Sequence, residues 1–202
     1  MRLRTLTGLI ALLALSACDD DGAAITQSIP GAPQRARIET SMGMIQLELF
    51  PDRAPITVHN FRQYAQEGFY DSLLVHRVIA GFIVQGGGLT VDMEPRTPTH
   101  EPIVNEAKTA PSNRRGTIAM ARTSDPNSAT SQFFINLEDN LFLDYRADTP
   151  QGAGYAVFGR VVSGMEVVDE IAGVPTGSVN GFNDVPLTPI VIFRIETSPG
   201  WP

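Results

Sequence analysis

Two segments about thirty residues apart concentrate the side chains able to do chemistry. Residues 75–88, VHRVIAGFIVQGGG, set Arg77 among apolar neighbours and follow it with Phe82, Ile83, Gln85 and three consecutive glycines. Residues 120–137, MARTSDPNSATSQFFINL, add Ala121, Arg122, Thr123, Gln132 and Phe134. An arginine keeps its charge at any relevant pH and offers five N–H donors in a rigid fork. Glutamine amides donate and accept at once, which suits the backbone of an extended peptide. A fixed donor beside an apolar slot can stabilise a redistribution of electrons in a neutral ligand without moving a proton.

Other chemistries find no support. There is no GxSxG, HExxH, cysteine cluster or GxxxxGK loop, and the three histidines, His59, His76 and His100, are scattered. Gly86, Gly87 and Gly88 lack the lysine and serine of a phosphate cradle; they are expected to mark a turn with a close backbone approach. His76 has two readings, a substrate contact or a buried structural histidine. A net charge of -7 without a basic stripe argues against nucleic acid as a partner.

Taken together the two segments resemble the cyclophilin family, whose members catalyse rotation about the peptide bond preceding proline. That barrier, about 18–20 kcal/mol, is loss of amide resonance, so no bond is made or broken. The resemblance implies an isomerase without a cofactor, with proline-containing polypeptides as its partners. Arg77 then matches the family's catalytic arginine. Phe82, Ile83 and Phe134 match the proline pocket, with Phe142 and Leu143 from NLFLDY completing its walls. Tyr155, in GYAVFG, stands where many relatives place a histidine. Gln85 and Gln132 grip the substrate backbone, and Ala121, Arg122 and Thr123 form a rim, with Arg122 resembling the bacterial branch. Phe133 and Phe158 are left to the core. The sole tryptophan, Trp201, is C-terminal, and Phe142 takes the place of the indole of cyclosporin-sensitive relatives; weak cyclosporin binding with retained catalysis is expected. The alternative is a proline-peptide binding or assembly module with incidental activity. A ligand barrel of the lipocalin type leaves both motifs unexplained.

The elements that must position these residues follow from apolar patterning. The chain of 202 residues, 43% hydrophobic, is long enough for one domain with a full core and a tail. Its short apolar runs between turn signals point to a sheet or barrel. Residues 36–50 alternate about Ser41, Met42 and Gly43, predicting a hairpin with Ile38, Ile45, Leu47 and Leu49 inward. A helix is expected over 55–67, opened by Pro55, burying Val58, Phe61 and Ala65 and ended by Gly68. A second covers Met165–Ala172, with Val168 and Ile171 on one side. A last strand covers 188–197, with Ile190, Ile192 and Arg194 at alternate positions. The expected fold is mainly β, a closed antiparallel eight-stranded cyclophilin-like barrel capped by two helices, monomeric, over residues 36–198, with 199–202 as a tail.

The first residues read as an export signal. Arg2 and Arg4 precede a ten-residue apolar stretch too short to span about 30 Å of hydrocarbon. Leu15, Ser16 and Ala17 then lead into Cys18, the only cysteine. This resembles a bacterial lipobox, which implies a signal peptide over 1–17 and a lipidated Cys18 holding the protein to a membrane. Two acyl chains give stable anchoring. Asp19 implies the inner membrane, at the periplasmic side. Residues 18–35, with three acids and two prolines and no apolar period, form a tether; its flexible reach is roughly 20–25 Å.

Overall fold

The computed structural model describes residues 34–199, so the signal segment, Cys18, Asp19, most of the tether and Trp201 lie outside the described residues. Strand β1 (Gln34–Thr40) already includes Gln34 and Arg35, which were expected in the tether. Arg35 pairs with both Glu48 and Ser198, so the sheet claims it. Across the first hairpin Ile38 faces Ile45 and Ala36 faces Leu47 of β2 (Gly43–Leu49). All four are buried, as the alternation requires.

Helix α1 (Pro55–Gln66) starts at the expected proline. Ala54 supplies no side-chain cap. Its free N–H groups are met from a distance: the Glu106 carboxylate accepts from Ile56 N (3.1 Å) and Thr57 N (2.7 Å). A negative group at a helix N-terminus is stabilising, and here it ties the long segment after residue 90 to the helix. The buried face of α1 carries Val58, Phe61, Tyr64 and Ala65. Phe61 meets Tyr70, Phe133 and Phe158, with ring centroids 5.5, 5.8 and 5.0 Å away.

Five further strands, β3 (Leu73–Ile79), β4 (Ile83–Thr90), β5 (Thr117–Met120), β6 (Phe133–Asn136) and β7 (Val157–Ser163), precede α2 (Met165–Ala172). With β1, β2 and the final strand β10 (Ile190–Pro199), they close an antiparallel barrel in the order β1, β10, β3, β4, β6, β5, β7, β2. Val168 and Ile171 of α2 join the same core as α1. The expected eight-stranded barrel with two helices is the fold observed.

Two local expectations are corrected and one unanticipated element appears. In β10 the inward position after Ile192 is Ile195, not Arg194. A bulge lets Glu39 face Arg194 and Thr40 face Ile192, so Phe193 and Arg194 both turn outward. Secondly, Gly86, Gly87 and Gly88 form no turn; they lie within β4. The close approach is real, since a Cβ on Gly88 would meet the Gln132 side chain at 2.5 Å. Thirdly, β8 (Thr176–Val179) and β9 (Phe182–Pro186) form a separate two-stranded hairpin that the apolar patterning did not announce. Its signal was present as Asn180-Gly181 between Val179 and Phe182, both with positive φ, as a two-residue hairpin loop demands.

Candidate active site

Strand register assembles the site on the outer face of the barrel. Arg77 pairs with Gln85, Gln85 with Phe134, Phe134 with Ala119 and Ala119 with Val157, one row across five strands. Because successive residues of a strand point to opposite faces, Phe133 and Phe158 enter the barrel core while Phe134 and Val157 stay outside it. Outside they join a second apolar cluster with Ile83 and Ala119, against which Phe82, Leu143 and Tyr155 pack. The barrel wall thus has apolar material on both sides, which is why all of β6 is buried.

A cavity of about 340 Å³ opens over this cluster. Nine of the anticipated residues line it: Arg77, Phe82, Ile83, Gln85, Ala121, Arg122, Phe134, Leu143 and Tyr155. Thr123 and Gln132 line an adjoining hollow of about 170 Å³, sharing Gln85, Ala121 and Arg122 with the first. Phe142 is the exception, for it is not a wall of the cavity. It stands 58% exposed and stacks on Phe82, extending the apolar surface outward. A larger hollow of about 430 Å³, between Lys108, Tyr145 and Pro150, contains none of the anticipated residues.

The polar groups are wired together. Gln85 accepts from Arg77 Nη1 through Oε1 (3.4 Å) and donates through Nε2 to Gln132 Oε1 (3.0 Å). Arg122 has a different role from a bare rim residue. It donates to the carbonyls of Gly154 (2.9 Å), Thr123 (2.8 Å) and Pro150 (3.1 Å), and lies over the Tyr155 ring at 4.6 Å. Its guanidinium therefore holds the loop that carries Tyr155. His76 is buried and absent from the cavity lining, which favours the structural reading. Burial, aided by the adjacent Arg77 charge, pushes its imidazole down to about 4, against hydrogen bonds with Leu74 and Gln132.

A buried amide network behind the pocket was not legible from the motifs. Asn140 Nδ2 donates to the Phe82 carbonyl (3.0 Å) and to Asn136 Oδ1 (2.9 Å), and Asn136 donates to Thr117 Oγ1 (2.9 Å). Beyond Leu143, the Asp144 carboxylate accepts from Ser112 Oγ, from Asn113 N (2.7 Å) and from Asn113 Nδ2 (3.0 Å). Partial burial pushes the Asp144 carboxyl up, but these donors together outweigh it and hold it below its usual range. The network fixes both ends of the short turn Leu141–Leu143 and the backbone of Phe82. The four asparagine and aspartate positions gave a sequence-level hint only in Asn136 and Asn140, four residues apart in a stretch otherwise rich in apolar residues.

Comparison with known proteins agrees with this geometry. Residues 35–197 match the family described as cyclophilin type peptidyl-prolyl cis-trans isomerase/CLD. The Streptomyces antibioticus protein named peptidyl-prolyl cis-trans isomerase cyp18 is 54% identical over 155 residues, covering 77% of this chain and 93% of that one. Peptidyl-prolyl cis-trans isomerase B of Escherichia coli K12 is 50% identical over 159 residues, 79% of this chain and 96% of its own. A crystal structure of a Cryptosporidium parvum cyclophilin, obtained in the presence of the dipeptide Ala-Pro, superposes with a TM-score of 0.65 at 27% identity, covering 80% of this chain and 96% of that one. With all eight barrel strands wholly or largely inside the matched span, the chain belongs to the cyclophilin family of peptidyl-prolyl cis-trans isomerases.

Proposed function

We propose that Arg77 and the apolar hollow beside it carry out prolyl isomerisation, with proline-containing exported polypeptides as substrates. The observation that carries this reading is the row Arg77, Gln85, Phe134 across β3, β4 and β6, which sets a charged donor at one end of an apolar floor. As an X-Pro amide twists, its nitrogen regains a lone pair and its carbonyl loses polarity. A donor at the nitrogen then binds the twisted state better than either planar isomer, and only such a difference lowers the barrier. A hydrogen bond to a charged donor contributes about 1.5–3 kcal/mol, roughly ten- to a hundredfold in rate. The remaining acceleration comes from moving the less polar amide out of water, which Phe82, Ile83, Phe134 and Leu143 permit.

Gln85, locked between Arg77 and Gln132, and the backbone of Ala121, Arg122 and Thr123 orient the chain on the side preceding proline. The test is proline-limited peptide isomerisation with Arg77→Ala. A loss of at least tenfold in kcat/KM is expected, and an unchanged rate overturns the assignment.

The setting proposed is the periplasmic face of a bacterial membrane, through lipid on Cys18. The order of basic, apolar and Leu-Ser-Ala-Cys segments supports it, with Asp19 favouring the inner membrane. Fractionation of Cys18→Ala checks the anchor: release into the soluble fraction is expected, and unchanged membrane association rejects it.

A further inference from the structure

The hairpin of β8 and β9 brings a carboxylate to the arginine. Gly177 pairs with Val185 and Val179 with Phe182, so Ser178 alone on β8 opposes both Asn183 and Asp184 on β9. Such a bulge re-aims a side chain. Asp184 takes φ +60°, a left-handed conformation in which glycine would be less strained. With that turn, Asp184 Oδ2 stands 3.6 Å from Arg77 Nε. The placement is supported from below, because the next residue, Val185, is buried in a small apolar cluster with Leu74 of β3, Leu89 and Met93.

We propose that Asp184 is a positioning residue for isomerisation. It holds the Nε face of Arg77 while Gln85 holds Nη1, and Nη2 is engaged by neither. This inference rests on Arg77 being the donor to the proline nitrogen.

Two effects of the carboxylate oppose each other. Its charge weakens the field that Arg77 exerts on the substrate, whereas its contact removes freedom from a long side chain that has to meet a rotating amide. The side chains are 39% and 43% exposed, so water screens the charge effect. Freezing a flexible donor in its reactive geometry acts on the rate directly. Orientation therefore prevails, and removal of the carboxylate slows the reaction.

The experiment compares kcat, KM and thermal midpoint for the full chain as wild type, Asp184→Asn, Asp184→Gly, Arg77→Ala and Arg77→Ala/Asp184→Asn, on an uncharged X-Pro peptide. Asparagine tolerates the left-handed backbone and glycine relieves it, so neither variant should unfold the hairpin. A fall in kcat of about two- to fivefold at constant KM is expected in both, and no further fall on the Arg77→Ala background. Raising the ionic strength should slow the wild type and leave Asp184→Asn unchanged, a response that a merely structural role would not produce. Unchanged or faster kcat in both single variants, with Arg77→Ala severely impaired, overturns the role of Asp184 and leaves Arg77 standing. An equal loss with and without Arg77 also overturns it. If Arg77→Ala is itself unimpaired, the donor assignment fails first and this inference falls with it.

Discussion

Phe142 lies nearly flat against Phe82, with ring centroids 5.7 Å apart and planes 20° from parallel. Phe82 lines the cavity and Phe142 does not, so the outer ring acts on the pocket by covering the back of the inner one. Loss of such an aromatic pair is worth roughly 0.5–1.5 kcal/mol. Phe142→Ala should raise KM about two- to tenfold with kcat nearly unchanged, as steady-state isomerisation kinetics can read.

The same ring bears on cyclosporin. A phenyl group has no N–H, so binding of cyclosporin to the wild type should be weak while catalysis persists. Phe142→Trp supplies an indole donor at an exposed position and should tighten binding about two- to tenfold, the value of one neutral hydrogen bond. Competition calorimetry checks both halves, and nanomolar inhibition of the wild type contradicts the first.

His76 links stability to pH. Burial, with the charge of Arg77 adding to it, lowers its folded value to about 4 from an unfolded value near 6.5. Between those two values the unfolded chain binds the extra proton, so stability is full above about pH 6.5 and falls as the pH drops toward 4, levelling off below. The size is about 3 kcal/mol at most. Denaturant titrations at pH 7 and pH 4.5 should show this loss in the wild type and a smaller one in His76→Gln.

Asp144 acts in the acid range. Its burial raises the carboxyl, the donors from Ser112 and Asn113 lower it more, and its folded value ends below the unfolded one. Its contribution is therefore present above about pH 4 and is lost as the pH falls through the lowered folded value. Asp144→Asn should remove about 1 kcal/mol at neutral pH and flatten the acid limb of a stability profile. Since the neighbouring turn Leu141–Leu143 carries a pocket wall, KM should rise in the same variant.

Gly88 makes room for the Gln132 side chain. A Cβ there would overlap Gln132 at 2.5 Å, and Gln132 is a flexible side chain that can swing away. Gly88→Ala should leave the fold intact and break the contact between Gln132 and Gln85. A several-fold rise in KM is expected, with a thermal midpoint lowered by only a few degrees.

Local period was enough to identify both helices and the first hairpin, while the expected donor and pocket residues came from the resemblance that the two motifs carry. An apolar repeat of two or 3.6 residues is a property of a short stretch and survives without its surroundings. Tertiary packing decided the rest. It set the bulge that exchanged Arg194 for Ile195 on the inner face, because register depends on a partner strand far away in sequence. It left Phe142 outside the cavity, since a 3₁₀ turn held by Asn140 and Asp144 sets where its ring points. It also brought Asp184 to Arg77, two residues that share no motif. Their meeting requires a bulge in β9 and the packing of one hairpin on β3, both products of long-range contacts that local spacing does not encode.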